Sequence, residues 1–263
     1  MLAALLRGKL SREQENMEDI LTSTVFGVLQ YLAPEDGLLP FLSEAVTLDG
    51  DRPLAHLTSD ARIARFDFWP WISEKGCAGC EPDVLLRLDP PSGRLVWVMI
   101  EAKYWSGKSS GEDSEPGRPF DQLAREWDNL VHIAGDEADA VLVYLTADVG
   151  IPQDEIEASL AEYRQKRQGL PPTICWLSWR HLPGTLGGDG SIQRDLRALL
   201  AERLGLHFYR GIRPLPIVTD EGWRFTVSFR WDRLASKTAD WSFAAHYAWG
   251  RGVHLPLRWG FSP

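Results

Sequence analysis

An aspartate and a glutamate lie at positions of the sequence where they could bind a metal ion together. Asp83 begins one mainly apolar segment, and Glu101 and Lys103 end the next one. Side chains alternate between the two faces of a strand, so Glu101 and Lys103 share a face if their segment is extended. Two neighbouring carboxylates repel each other, and a divalent cation between them removes that repulsion. Because hard oxygen ligands suit Mg²⁺ or Mn²⁺, the acidic pair predicts a site for one of these ions.

The two segments must form a β-hairpin to bring these side chains together. A Pro-Pro-Ser-Gly-Arg sequence at 90–94 separates them and predicts a turn. If the turn spans all of these residues, Asp83 lies directly opposite Glu101, with Cβ atoms about 4.5–5.5 Å apart. A shift of the register by one residue would place the two carboxylates on opposite faces of the sheet.

These residues resemble the motif of the PD-(D/E)XK nuclease superfamily, which has the restriction-endonuclease-like fold. Pro82-Asp83 corresponds to the PD, and Glu101-Ala102-Lys103 corresponds to the (D/E)XK. The resemblance implies that Asp83, Glu101 and the backbone carbonyl of Ala102 bind Mg²⁺ or Mn²⁺. It also implies that Lys103 orients the attacking water or helps to deprotonate it, while the metal polarises the scissile phosphate. The expected activity is metal-dependent hydrolysis of phosphodiester bonds, most often in DNA.

Two further residues are candidates for the same site. Glu18 lies on the apolar half of the predicted first helix, where many members of the superfamily place a glutamate near the metal, so the resemblance implies that Glu18 is an outer ligand of the metal. Gln122 opens the helix after the motif, where RecB-like members carry a glutamine, but Glu126 replaces their usual tyrosine four residues later. Simpler interpretations remain open. Glu18 suits the edge of an amphipathic helix, and Gln122 and Asn129 suit a polar stripe on the surface, away from the apolar face of their helix.

The predicted elements alternate in the order expected for a mixed sheet between helices. Apolar periodicity predicts helices over 13–32, 120–134, 152–167 and 191–204. Besides the hairpin, strands are predicted over 62–72, with the strand ending at Pro70, over 140–146 and over 173–178. We therefore expect an α/β (α+β) fold with a mixed central sheet flanked by helices. The resemblance specifies a restriction-endonuclease-like αβββαβ core.

A change in charge predicts two domains. Residues 1–204 carry 20 basic and 33 acidic residues, whereas residues 205–263 carry 8 basic and 4 acidic residues and 12 aromatic residues. We expect a nuclease-like core over 1–204 and a C-terminal, aromatic-rich β extension over 205–263. Alternating aromatic residues predict strands at 223–231 and 241–249 in this extension.

The composition excludes several classes of protein. The chain has 263 residues, of which 44% are hydrophobic and 25% charged, values that exclude general disorder. No apolar run approaches the roughly 20 residues that span a bilayer. We therefore expect that the protein does not contact membranes. Three cysteines do not make a disulfide framework, so we also expect a cytoplasmic protein. The net charge of −9 argues against nonspecific nucleic-acid binding by the whole surface, so DNA binding requires a local basic strip or a partner.

The resemblance also carries expectations about partners. Relatives of this kind are often components of restriction, phage-defence or mobile-element systems, in which another subunit recognises DNA or moves along it. Many relatives act as homodimers that cut both strands, so the resemblance also makes a homodimer one of the expected arrangements. The alternative is a catalytically silent nuclease fold that serves as a binding or scaffolding module, and the intact Asp83, Glu101 and Lys103 argue against it.

Other motifs carry weaker signals. Cys77 and Cys80 form a CxxC in a glycine-containing turn, but zinc would need two more ligands, and the sequence suggests only Cys175 and scattered histidines such as His181. A tight turn with small buried thiols is the simpler interpretation. A GxSxG match centred on Ser109 lacks the strand-to-helix turn that a hydrolase nucleophile requires.

Overall fold

A computed structural model describes the positions that carry the candidate site. It covers residues 13–57, 61–91, 93–104, 118–167, 172–208, 243–249 and 253–259. The chain divides into two units, Met1–Tyr209 and Arg210–Pro263. All of the candidate site residues belong to the first unit.

Five strands of the first unit form one mixed sheet, in which each strand pairs with the next along the chain. They are β1 (Arg62–Phe68), β2 (Val84–Asp89), β3 (Leu95–Ala102), β4 (Ala138–Thr146) and β5 (Ile174–Ser178). The pairs β1–β2 and β2–β3 are antiparallel, and β3–β4 and β4–β5 are parallel. The first three strands therefore form a meander, and the parallel pairs need helical crossovers.

Helices precede the sheet and form both crossovers. They are α1 (Glu13–Leu29), α2 (Leu38–Leu42), α3 (Pro53–Leu57), α4 (Gln122–Ala134), α5 (Gln153–Lys166), α6 (Leu182–Thr185) and α7 (Ser191–Ala198). Short 3-10 turns occupy Pro34–Asp36 and Trp179–His181, and Leu199–Arg203 continues α7 as a π-helix. The predicted mixed α/β fold with a sheet flanked by helices is thus confirmed.

Strands β2 to β5 are largely buried on both faces of the sheet, whereas the described residues of β1 are half-buried or exposed. On one face, Val84 and Val98 pack in a cluster with Val25 of α1. On the other face, Leu85 and Met99 pack in a cluster that contains residues of α4 and α5. Alternate residues of β2 and β3 therefore face different helices, and this explains why these strands are nearly continuous apolar runs. Glu101 shares the parity of Met99 and thus lies on the α4 face.

Element boundaries differ from the predicted ones for identifiable reasons. The helix predicted to end at residue 32 ends at Leu29, a few residues before Pro34 starts a 3-10 turn. The strand predicted to end at Pro70 ends at Phe68, because Trp69 has a left-handed φ of 46°. Helix α4 begins at Gln122 rather than at residue 120, and the side chain of Asp121 caps it by accepting from the Ala124 amide.

The second unit contains an antiparallel pair of strands, β6 (Phe243–Trp249) and β7 (Val253–Trp259). Strand β6 lies within the predicted strand 241–249. The other predicted strand, 223–231, lies outside the described residues. The sequence analysis missed β7, where Pro256 weakens the strand pattern because proline cannot donate to a ladder.

Candidate metal centre

The hairpin has the register that the turn predicts. Val84 pairs with Ile100, and Leu85 pairs with Met99. Extended by one residue, this register would pair Asp83 with Glu101, and the two strand ends do meet there, since the Ala102 amide donates to Asp83 Oδ2 at 2.8 Å. Both side chains are buried, at 7% and 3% exposure respectively. Two buried carboxylates that lie close together destabilise the fold, because they lose their hydration and repel each other. This arrangement therefore requires compensating contacts or a cation.

Asp83 is held by two nitrogen donors. Its Oδ1 accepts a hydrogen bond from the indole Nε1 of Trp69 at 3.0 Å, and its Oδ2 accepts from the backbone amide of Ala102 at 2.8 Å. The left-handed φ of Trp69, which is costly for a bulky residue, accompanies this indole contact. In an extended strand the N–H and C=O of one residue point to the same side. The Ala102 carbonyl therefore faces the Asp83 side of β3, as its expected role as a ligand requires.

Glu101 accepts hydrogen bonds from the ammonium group of Lys103 and from the side-chain amide of Gln122. Its Oε1 accepts from Lys103 Nζ at 2.6 Å and from Gln122 Nε2 at 2.5 Å. Lys103 itself is 8% exposed, and its backbone is fixed on both sides of the residue. Its amide donates to Leu145 of β4 at 2.7 Å, and its carbonyl accepts from the Trp179 indole at 3.2 Å. The motif lysine and glutamate are therefore rigidly held side by side.

Glu18 reaches the same site from α1. Its Oε1 accepts from Lys103 Nζ at 3.3 Å, and its Oε2 accepts from the backbone amide of Tyr104 at 2.8 Å. The structure therefore places Glu18 at the motif lysine rather than at a solvated helix edge. Its contacts orient Lys103 and link the first helix to the end of β3.

The interpretation of Gln122 and Asn129 as a surface stripe is wrong. Gln122 is 7% exposed and Asn129 is fully buried. The loop between β1 and β2 covers this side of α4, since Asn129 Oδ1 accepts from the Glu74 amide at 3.0 Å and its Nδ2 donates to the Ala78 carbonyl at 2.6 Å. A polar face of a helix suggests exposure to solvent when the segment that covers it is not known. Here the covering segment is distant in sequence, since Asn129 and Ala78 are 51 positions apart.

Glu126 is a site residue that the sequence analysis missed. It is 1% exposed and hydrogen-bonds to Glu101. Among the described residues, none provides a partner for its buried Oε2 atom. The sequence does contain a signal that Glu126 belongs with Gln122 and Asn129. The three residues are four and three positions apart, so they share a face of the helix. In the sequence, Glu126 stands out only as a departure from the RecB-like pattern.

Burial and mutual repulsion set the protonation of the site. Burial has the largest effect on Asp83, and together with the charge of Glu101 it raises the pKa of this residue well above its usual range. The charge of Lys103 and the hydrogen bond from the Ala102 amide lower the pKa of Asp83, but they do not offset this rise. Burial and Glu101 likewise raise the pKa of Glu126. Burial lowers the pKa of Lys103, but the carboxylates of Glu101 and Glu18 outweigh it, so the net shift is upward. In the metal-free protein Asp83 and Glu126 therefore tend to keep their protons, and a bound cation would displace these protons.

The donor set fits a hard divalent cation. The side chains that converge here are the carboxylates of Asp83, Glu101 and Glu126, and the Ala102 carbonyl faces the same side. Mg²⁺ and Mn²⁺ prefer such oxygen ligands. The unpartnered Oε2 of Glu126 is a buried acceptor for which a cation would compensate.

We expect the metal-free protein to lose stability as the pH rises above about 4. The unfolded chain releases the protons of Asp83 and Glu126 near their ordinary pKa values of 3.8 and 4.5, whereas the folded state retains them. Their contribution to the unfolding free energy is therefore full below these values and is lost as the pH rises through the raised folded-state pKa values. Denaturant titrations in EDTA at several pH values measure this loss.

Glu126→Gln is the matched variant for that pH experiment. It keeps the side-chain shape but has no carboxyl to titrate, so its stability relative to wild type should increase as the pH rises. Added Mg²⁺ competes with protons for the carboxylates, so it should stabilise the wild-type protein more strongly at higher pH. Parallel stability curves for the two proteins in EDTA would contradict the raised pKa of Glu126.

Comparisons with protein-family models, curated proteins and solved structures found no match. Within the described part of the chain, no helix is long and apolar enough to cross a membrane. The function is therefore inferred from the geometry of the site.

Proposed function

We propose that this protein is a metal-dependent nuclease of the PD-(D/E)XK type that hydrolyses phosphodiester bonds, most often in DNA. The observation that carries the proposal is the buried pair Asp83 and Glu101, opposed across a hairpin, with Lys103 hydrogen-bonded to Glu101. The order of helix, three-stranded meander, helix and parallel strand agrees with the expected αβββαβ core and supports the restriction-endonuclease-like fold.

Each side chain has a distinct task in the proposed site. Asp83, Glu101 and the Ala102 carbonyl would hold Mg²⁺ or Mn²⁺, which supplies Lewis-acid polarisation of the phosphate and a more acidic bound water. Gln122 fixes the carboxylate of Glu101 through its Nε2 atom. Glu126, with its unpartnered Oε2, would add a further oxygen to the metal centre.

Lys103 suits an orienting role rather than that of a base in the metal-free site. Its raised pKa keeps the ammonium charged, because Glu101 and Glu18 both stabilise that charge. A charged ammonium donates hydrogen bonds to the attacking water and offsets charge on the phosphate. Glu18 positions this ammonium through its contact of 3.3 Å.

An arginine pair supplies positive charge on the same face of the sheet. The guanidinium carbons of Arg65 and Arg87 lie 5.8 and 6.0 Å from the ring centre of Trp97. Trp97 precedes Glu101 by four residues, which corresponds to about 13 Å along β3. Arg65 also forms an ion pair with Asp67, so a phosphate would have to compete with that carboxylate there. Arg87 would bind a backbone phosphate beside the scissile one, so nucleic-acid binding does not require an overall basic protein.

The biological setting belongs to the proposal as well. A restriction or phage-defence system in the cytoplasm, with a partner subunit that recognises DNA, agrees with the net charge of −9, which leaves the chain without overall positive charge. A homodimer would allow both strands of a duplex to be cut.

A cleavage assay tests the proposed function. The purified protein is incubated with single-stranded DNA, double-stranded DNA or RNA, in Mg²⁺, Mn²⁺ or EDTA, beside the Glu101→Ala variant. We expect metal-dependent cleavage that the variant lacks. If the wild-type protein cuts nothing and calorimetry detects no binding of either ion, the nuclease proposal is wrong and the binding module is favoured.

A further inference from the structure

An exposed tryptophan lies at the start of the loop between β1 and β2, beside the candidate metal centre. Trp71 is 70% exposed, whereas tryptophan side chains are highly buried on average. It follows Trp69, whose backbone amide donates to the Asp83 carbonyl and whose indole donates to the Asp83 carboxylate, both at 3.0 Å. Two residues of chain span at most about 7 Å, so the backbone of Trp71 lies within that distance of the residue that holds Asp83.

The orientation of Trp71 follows from the way its neighbour is anchored. Ile72 and Cys80 form an antiparallel bridge with backbone hydrogen bonds of 2.9 and 2.8 Å. Ile72 is 7% exposed and packs in the cluster that contains residues of α4 and α5. Neighbouring side chains of an extended segment point in opposite directions, so the burial of Ile72 turns Trp71 outward.

The rest of the loop is tied to α4 and to the end of α5. Arg167, which follows α5, donates from Nη2 to the Gly76 carbonyl at 2.8 Å. The thiol of Cys77 lies 3.3 Å from Nδ1 of His132 in α4. Trp71 therefore stands on a fixed support, and a ligand that contacts its ring would pay little conformational entropy to order the loop.

A glycine accommodates the ring of Trp71. A Cβ atom at Gly79 would lie 2.7 Å from Cζ2 of the indole and 3.1 Å from Cη2, well inside the 3.5–4.0 Å at which carbon atoms pack. A side chain at this position would displace the ring. Gly79 thus allows the benzo part of the indole to lie against the loop, a contact that orients the ring while most of the side chain stays in solvent.

A rigid, exposed indole beside a site for phosphodiester hydrolysis suits stacking on a nucleobase. Aromatic side chains on which bases stack are a common feature of proteins that bind single strands, because every base has a π-face. Bases inside a duplex are covered by their neighbours. Only an unpaired base, in a single strand or extruded from a duplex, offers its face to a side chain.

We propose that Trp71 stacks on an unpaired nucleobase close to the phosphodiester bond that is cut. This role rests on the proposed nuclease function, and it adds a preference for nucleic acid that has an unpaired base at this position. The ring of Trp71 contacts the substrate through a base and leaves the phosphate to the metal centre. It therefore contributes to binding and to the choice of substrate.

Fluorescence anisotropy of labelled oligonucleotides tests this proposal without cleavage. The protein is titrated, in EDTA and in Ca²⁺, into a thymidine strand, an abasic sugar-phosphate strand of the same length, and a duplex with or without a mismatch. We expect Trp71→Ala to weaken binding of the thymidine strand roughly 5- to 150-fold, and binding of the abasic strand less than about twofold. Trp71→Phe should keep most of the affinity, because it retains a ring on which a base can stack.

Two readouts and one matched variant separate stacking from a disturbed loop. The slope of log affinity against log salt should be the same for wild type and Trp71→Ala, since the ring neutralises no phosphate. Stabilisation by Mg²⁺ should also be unchanged, because Trp69 still holds Asp83. Tyr31→Ala removes an aromatic side chain that is 85% exposed beyond the far end of α1, about 17 Å along the helix from Glu18, and should bind like the wild type.

The duplexes identify where the unpaired base comes from. A mismatch that raises affinity in the wild type but not in Trp71→Ala indicates a base extruded from a duplex, and an effect confined to the thymidine strand indicates a single-stranded substrate. The proposal is overturned if Trp71→Ala binds the thymidine strand normally, if it loses affinity for the thymidine and abasic strands equally, or if the wild type binds neither. Metal-dependent cleavage by the same protein would then leave the nuclease function standing without this role of Trp71.

Discussion

Replacing Asp83 by Asn should abolish metal-dependent cleavage while leaving the protein folded. The substitution removes one charge from the pair that would hold the ion, and a metal centre supplies several kcal/mol of transition-state stabilisation. Each factor of ten in rate corresponds to about 1.4 kcal/mol, so we expect a loss of at least about 1,000-fold in kcat/KM. Single-turnover cleavage of a labelled duplex at saturating Mg²⁺ measures this loss.

The same variant should differ from wild type in its response to metal. The asparagine amide cannot supply the second carboxylate, so Mg²⁺ should raise the unfolding temperature of the wild-type protein and not that of Asp83→Asn. In EDTA the variant also no longer has the buried carboxyl whose pKa is raised by burial and by Glu101, so its stability should depend less on pH. Loss of cleavage together with unchanged metal stabilisation would mean that Asp83 acts without binding the ion.

Asp89→Asn is the matched control for this prediction. Asp89 lies at the other end of β2, on the same face as Asp83, and its side chain is exposed. The same chemical change at this position should alter neither cleavage nor metal binding. If both variants lose activity equally, the effect comes from the overall charge of the strand, and the assignment of Asp83 is wrong.

Replacing Trp179 by Ala should lower the free energy of unfolding more than any other substitution discussed for this protein. Trp179 is fully buried, and its ring packs edge-on against Phe26 of α1 with centroids 5.9 Å apart. Its indole nitrogen donates to the backbone carbonyl of Lys103 at 3.2 Å. Truncation of a buried tryptophan costs about 3–5 kcal/mol, which corresponds to a fall of roughly 10 °C in Tm. Thermal unfolding followed by circular dichroism measures the fall.

Trp179→Phe separates packing from hydrogen bonding. It keeps an aromatic ring against Phe26 but leaves the carbonyl of Lys103 without its indole donor, at an expected cost of about 1–3 kcal/mol. The exposed Trp71, at 70% exposure, provides the control, since Trp71→Ala should change the unfolding free energy by no more than about 0.5 kcal/mol. Equal losses for Trp179→Ala and Trp71→Ala would contradict the central position of Trp179.

The local part of the site was predictable from the sequence. A turn of defined length and the two-residue periodicity of β2 and β3 determine the register, and the register alone places Asp83 opposite Glu101. The same alternation places Lys103 beside Glu101 on one face. The mixed α/β fold followed from the order of apolar patterns, because strands and helices have different periods.

Other parts of the site depend on contacts between distant segments. Glu18 and Lys103 are 85 positions apart, and Cys77 and His132 are 55 apart. A periodic pattern describes which residues share a face but not what covers that face. The polar stripe of α4 is buried because the loop between β1 and β2 lies over it, and this changes Gln122 and Glu126 from surface residues into parts of the candidate metal centre.

The amino-acid pattern alone predicts the pair of carboxylates, the adjacent lysine and the class of fold. The contributions of Glu18 from α1 and of Gln122 and Glu126 from α4, and the contact between Cys77 and His132, depend on how distant segments pack together. The two groups of features differ in the range of the forces that act on them. Backbone geometry controls strand alternation over a few residues, whereas the burial of polar groups depends on hydrogen bonds from segments that packing brings together.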